Sequence, residues 1–154
     1  MSKDVKDLEE FACKLQEQIM EQIRERYSPA VIDHWQNPRN FGKMDNPSGY
    51  AKVKGPCGDT MEMFIKVVEE TITECTFQTD GCGTTIACGS VSTELAEKKS
   101  FVHALASVYS DKILGKLKGL PEEDVHCADL AAFTLRRAIA DCLHRKNHKT
   151  QWKD

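Results

Sequence analysis

No stretch of this chain approaches the ~20 consecutive apolar residues that a bilayer-crossing helix needs, so no membrane partner is expected. Long basic runs are also missing. With 21 Lys and Arg against 24 Asp and Glu, the formal net charge is −3, and nucleic acid is not expected as a partner because phosphate binding needs clustered cations. The one basic cluster, Arg145-Lys146-Asn147-His148-Lys149, is what the dipole of a helix C-terminus favours. No apolar signal segment stands at the start, and the first 26 residues hold seven acids (Asp4, Asp7, Glu9, Glu10, Glu17, Glu21, Glu25), a composition that mitochondrial leaders avoid. Seven cysteines, an odd number, in such a chain point to reduced thiols in the cytoplasm and away from a secreted disulfide framework. There is no C-x-x-C pair, no internal repeat and no low-complexity segment.

What is present suits one soluble domain: 154 residues, 40% hydrophobic and 29% charged. Leu8, Phe11, Ala12, Leu15, Ile19 and Ile23 recur at helical steps between Asp4 and Arg26, predicting an amphipathic helix. Its apolar stripe is expected to pack onto the domain, with self-association into a homodimer as the alternative, and Cys13 beside it reads as a small buried hydrophobe. Ser28-Pro29 starts a short helix to about Trp35. On it, His34 is expected to bond to backbone. The turn dipeptides of Asn37-Pro38-Arg39-Asn40-Phe41-Gly42 and Asp45-Asn46-Pro47-Ser48-Gly49 then give an irregular crossing.

From Tyr50 the period becomes two. Tyr50 to Lys54, then Met61, Met63, Ile65 and Val67, then the segment around Ile72 to Thr79, read as three strands of an antiparallel meander. Cys75 is expected to face inward. Cys57 falls in the turn before the second strand and Cys82 in the loop after the third, at the same edge of the sheet. A helix over about 84–98 follows, carrying Cys88 turned away from Cys82, then two short helices with Ser100 and Ser110 as caps. His103, on the first of these, is expected to be structural. The last helix follows Gly119-Leu120-Pro121 and three acids, buries Ala131, Leu135, Ala138, Ile139 and Cys142, and carries His126 and Cys127 in its first turn.

With the core cysteines removed, Cys57, Cys82, His126 and Cys127 remain, with Asp59 two residues beyond the first. Cys82 lies between two glycines before a helix start, where the dipole favours thiolate over thiol. Thiolates and imidazole suit zinc and iron–sulfur clusters, and a carboxylate suits harder ions. On the residues alone, a metal site and three ordinary loop cysteines both remain open.

Val31-Ile32-Asp33-His34, Asn37-Pro38-Arg39-Asn40, Pro56-Cys57-Gly58-Asp59, Gly81-Cys82-Gly83 and His126-Cys127, in this order over about 27–145, resemble the IscU and NifU N-terminal family of iron–sulfur cluster assembly scaffolds. The resemblance implies an α+β fold: a three-stranded antiparallel sheet packed with about five or six helices and a metal site at one end of the sheet. Residues 1–26 would be a helical extension, 27–146 the scaffold domain and 147–154 a basic tail. By the same resemblance Cys57, Cys82 and Cys127 are cluster-ligating and sulfur-accepting thiols, with Asp59 and His126 the ligands that vary with the state of the site. It implies a transient 2Fe–2S cluster (4Fe–4S the alternative), zinc or iron in the cluster-free form, and no enzymatic activity. The implied partners are a cysteine desulfurase, an electron donor such as ferredoxin, and apo acceptor proteins.

Two thiol-site rivals are a zinc-bound sulfur acceptor working with a desulfurase and a structural zinc module. Three features depart from the family pattern: the segment before Tyr27; Leu120-Pro121-Glu122-Glu123-Asp124 where many relatives carry a Leu-Pro-Pro-Val-Lys chaperone-recognition stretch; and Cys88 where Ser or Ala is usual. The second argues against reliance on a dedicated Hsp70-type chaperone.

Overall fold

The computed structural model describes residues 3–151, with side chains through residue 147. Helix α1 (Lys3–Arg26) leads into α2 (Pro29–Gln36), where the Ser28 hydroxyl accepts from the Val31 amide at 3.2 Å and Pro29 fills the first turn. After the irregular crossing come β1 (Gly49–Lys54), β2 (Thr60–Val68) and β3 (Thr71–Thr79), each antiparallel to the last. Helix α3 (Gly83–Ala96), a two-residue β4 (Lys99–Ser100), α4 (Phe101–Ser107), α5 (Ser110–Lys116), a 3-10 turn (Glu122–Asp124) and α6 (His126–Gln151) complete the chain.

The expected meander is present, and the sheet gains a fourth strand in the order β1-β2-β3-β4. Lys99 and Ser100 pair with Ile72 and Thr71. A two-residue strand has no periodicity to read, which is why the sequence predicts three strands.

Met61, Met63 and Ile65 of β2, with Ile72, Cys75 and Phe77 of β3, are fully buried on the face covered by α3 and α6. On α6, Ala131, Leu135, Ala138, Ile139 and Cys142 form the buried stripe expected of them. Burial drives the Cys75 and Cys88 thiols upward, which leaves both inert.

Helix α3 enters the core because small residues let neighbours approach. A Cβ on Gly89 would lie 2.5 Å from the Phe77 ring, and one on Gly83 would lie 2.2 Å from the Trp35 ring.

Several expectations need correction. Helix α1 forms over the predicted span but does not pack onto the domain: none of its residues is buried, and it touches only α2 appreciably. Leu8 is 71% and Phe11 66% exposed. Cys13 is therefore exposed, not buried. Ser100 caps α4 by accepting from the His103 amide at 3.3 Å, but Ser110 begins α5 without capping it and donates instead to Asp129. Helix α6 continues through residue 147 to Gln151; the side chains of the expected basic tail from His148 onward lie outside the described residues.

Candidate functional site

The sheet register builds one end of the molecule. Met61 pairs with Thr79, so the turn entering β2 and the loop leaving β3 lie side by side. The Asp80 carboxylate ties them by accepting from the Thr60 amide at 2.7 Å. Cys57 and Asp59 stand on the first segment and Cys82 on the second. The first turn of α6 brings His126 and Cys127 to the same corner.

Cys82 occupies the N-cap position of α3 in extended conformation. Its sulfur lies 3.0 Å from the Thr84 hydroxyl and 3.8 Å from that of Thr85. Partial burial opposes its charge, but the Thr84 hydroxyl and the first-turn donors of Thr85 and Thr84 outweigh this, so the thiol sits below its ordinary pKa. The direction is the one expected of a cysteine at a helix N-terminus.

Cys127, 2% exposed, approaches the Thr85 hydroxyl at 3.4 Å, the Thr84 hydroxyl at 3.7 Å and His126 Nε2 at 3.7 Å. Burial pushes its thiol up, the two threonine hydroxyls oppose, and the charges of Cys82 and Asp124 add to the rise. The corner thus holds an exposed thiol that is eased toward ionisation and a covered thiol whose ionisation is opposed.

Asp59 joins them through the Thr85 hydroxyl, which donates to Oδ2 at 3.2 Å. Asp59 also closes its own turn, its carbonyl accepting from the Gly55 amide at 2.7 Å. Cys57 projects from that turn beside Gly58, whose φ of +88° favours glycine, and is exposed. It makes no hydrogen bond or ion pair with the other four. The structure therefore brings Cys82, Cys127, Asp59 and His126 together and leaves Cys57 on the adjoining turn. Among the described residues, no three His, Cys, Asp or Glu side chains are arranged to clasp a metal ion as they stand.

Sequence reasoning missed Thr84 and Thr85, 2% and 0% exposed, whose hydroxyls link the corner. The signal was available: Thr85 follows Cys82 by three residues on a helix, which sets both on one face. His34 lies away from the corner. Its Nδ1 meets Ser90 Oγ of α3 at 2.7 Å, a side-chain partner where a backbone bond was expected. That serine also accepts from the Arg39 amide at 2.9 Å, so the Asn37-Pro38-Arg39-Asn40 loop is stitched to α3.

Sheet, helices and corner define a small α+β domain that presents thiols, a carboxylate and an imidazole from one end of a meander. The family described as NifU-like N terminal domain matches residues 26–149, and the chain belongs to that family. It is 46% identical over 124 residues to iron-sulfur cluster assembly scaffold protein IscU 1 of Archaeoglobus fulgidus, covering 80% of each chain. It is 42% identical over 128 residues to iron-sulfur cluster assembly scaffold protein IscU of Escherichia coli (strain K12), covering 80% of this chain and 98% of that one. Among solved structures, the crystal structure of a hypothetical protein superposes with a TM-score of 0.63 at 27% identity, over 72% of this chain and 94% of that one.

Proposed function

We propose that this chain is a scaffold on which iron–sulfur clusters are assembled from iron and desulfurase-derived sulfur and then passed to apo acceptor proteins. One observation carries the reading: Cys82, Cys127 and Asp59, from three separate elements, meet around the hydroxyls of one helix turn. The IscU scaffold relatives, matched over most of their length, support it. Their names favour it over a zinc-bound sulfur acceptor. The role is non-enzymatic and cytoplasmic, residues 27–146 carry it, and α1 is an extension to it.

The cluster is cargo, not a resident cofactor. Cys57, Cys82 and Cys127 supply soft sulfur to its irons, and Asp59 or His126 the remaining attachment. A carboxylate is a weaker partner for such iron than a fourth thiolate, and weak attachment permits release. A site thiolate attacks the outer sulfur of a desulfurase persulfide, forming a new S–S bond as the donor thiolate leaves. Two electrons from a donor such as ferredoxin then break that bond, freeing sulfide and restoring the thiolate. The exposed Cys57 turn lets cargo enter and leave without unfolding the core. The cargo is a 2Fe–2S cluster, and zinc or iron takes the same donors in its absence.

Anaerobic incubation with ferrous iron, cysteine and a desulfurase tests this. Visible charge-transfer absorption should grow and then decay as an apo acceptor gains its cluster, and Cys57→Ala, Cys82→Ala or Cys127→Ala should each prevent the growth. Zinc retention with no such absorption would overturn the reading. Asp59→Ala should slow cluster loss to the acceptor; unchanged transfer kinetics would remove Asp59 from the release step.

A further inference from the structure

The threonine pair at the start of α3 has no place in the ligand set above, yet its hydroxyls meet three of those ligands, Cys82, Cys127 and Asp59. The two hydroxyls divide the work. Thr84 stands 3.0 Å from Cys82 Sγ, whereas Thr85 donates to Asp59 Oδ2 at 3.2 Å across 26 residues of sequence. We propose that Thr85 is a positioning residue, its buried hydroxyl holding the Asp59 carboxylate at the corner shared with Cys82 and Cys127 so that an incoming metal ion meets that carboxylate already in place. The proposal rests on reading Asp59 as a cargo ligand.

Hydrogen-bond bookkeeping supports it. A hydroxyl carries one proton and two lone pairs. The proton goes to the carboxylate at 3.2 Å, and a lone pair is left to accept from the Cys127 thiol at 3.4 Å. A carboxylate that accepts through Oδ2 keeps its other oxygen for a metal ion. Rigidity comes from the threonine itself, which is fully buried on a helix where β-branching restricts χ1. Its methyl and hydroxyl also fill the space beside Gly81, where an added Cβ would come within 2.7 to 2.8 Å of Thr85 Cβ, Cγ2 and Oγ1. Gly81 thus leaves the volume that the Thr85 side chain needs.

Asp59, by contrast, rides on a glycine-bounded turn, and an unheld carboxylate there would lose rotamer freedom each time it bound metal. Partners that orient a metal ligand typically hold 10–100-fold of the affinity, a factor of ~10 being expected for one neutral hydroxyl.

The test uses the full chain, metal-free and reduced, with Zn²⁺ as the probe and a chromophoric chelator as competitor. Thr85→Val, which keeps the shape and removes the hydroxyl, should weaken Zn²⁺ binding about tenfold, and Thr85→Ser should restore it to within about twofold of the parent. Because Thr85 acts through Asp59, Thr85→Val should cost nothing further in an Asp59→Ala background. If valine disturbs the packing, Thr85→Ala enters the same comparison. Equal losses for the Val and Ser variants, or a Thr85→Val loss that persists in the Asp59→Ala background, overturn the positioning role. Zn²⁺ binding unchanged by Asp59→Ala but lost with Cys82→Ala overturns instead the reading of Asp59 as a ligand, and the proposal with it.

Discussion

Helices α1 and α3 invert what their sequences advertise. The 24 residues of α1 carry a clear apolar stripe and bury nothing, whereas α3, with no clean stripe, buries 11 of its 14. Periodicity tells which face of a helix is apolar, not whether anything covers it. Coverage depends on size: Gly83, Gly89 and Ser90 admit Trp35, Phe77 and His34 to the flanks of α3, so most of it sinks into the core.

The widest contrast should appear in thiol chemistry. Cys13 on α1 is exposed and Cys88 on α3 is fully buried. Under native conditions a neutral alkylating reagent should label Cys13 at least ~10³-fold faster than Cys88, whose reaction waits on unfolding. Mass spectrometry of timed digests reads both. Comparable rates would show that α3 is not buried in solution.

Packing gives the next effect. Gly89→Ala places a methyl 2.5 Å from the Phe77 ring and should cost about 1–3 kcal/mol in urea unfolding, although alanine is the better helix former.

A pH effect of intermediate size follows from His34. Burial, and then the charge of Arg39, hold its imidazole below the ordinary value, with Glu94 and Asp33 opposing. A base harder to protonate when folded contributes stability that is complete above its unfolded pKa and is lost as pH falls from there through its lower folded value. Melting temperature should therefore drop between about pH 7.5 and 5.5, and drop less in His34→Gln. Parallel curves for the two proteins would show that burial of His34 does not resist its protonation.

The smallest effect belongs to α1: Leu8→Ala should change unfolding free energy by no more than about 0.5 kcal/mol, as at an open surface site. A loss typical of a core leucine would mean that the stripe is covered in solution.

The same inversion explains what could be read in advance. Alternation of Met61, Met63 and Ile65 gave the strands, and turn residues at Gly55-Pro56 and Gly81-Cys82-Gly83 located the corner, because a meander puts one strand's start beside the next strand's end. The stripe of α6 was equally plain, since that helix covers the sheet with one face only. The fate of Cys13 was not legible, because periodicity does not say whether the face beside it is covered. Nor was the partner of His34, a serine 56 residues away. For Thr85 the three-residue spacing from Cys82 was legible, but the approach of Asp59 and Cys127 to the same hydroxyl, 26 and 42 residues away, was not.

The cover over Cys127 has a bearing on traffic. With that thiol covered while Cys57 and Cys82 stand exposed, a visitor to the corner meets the same two open sulfurs. In the scaffold role proposed above, sulfur donor and cluster recipient would then queue, one departing before the other arrives, and an excess of either should stall the other.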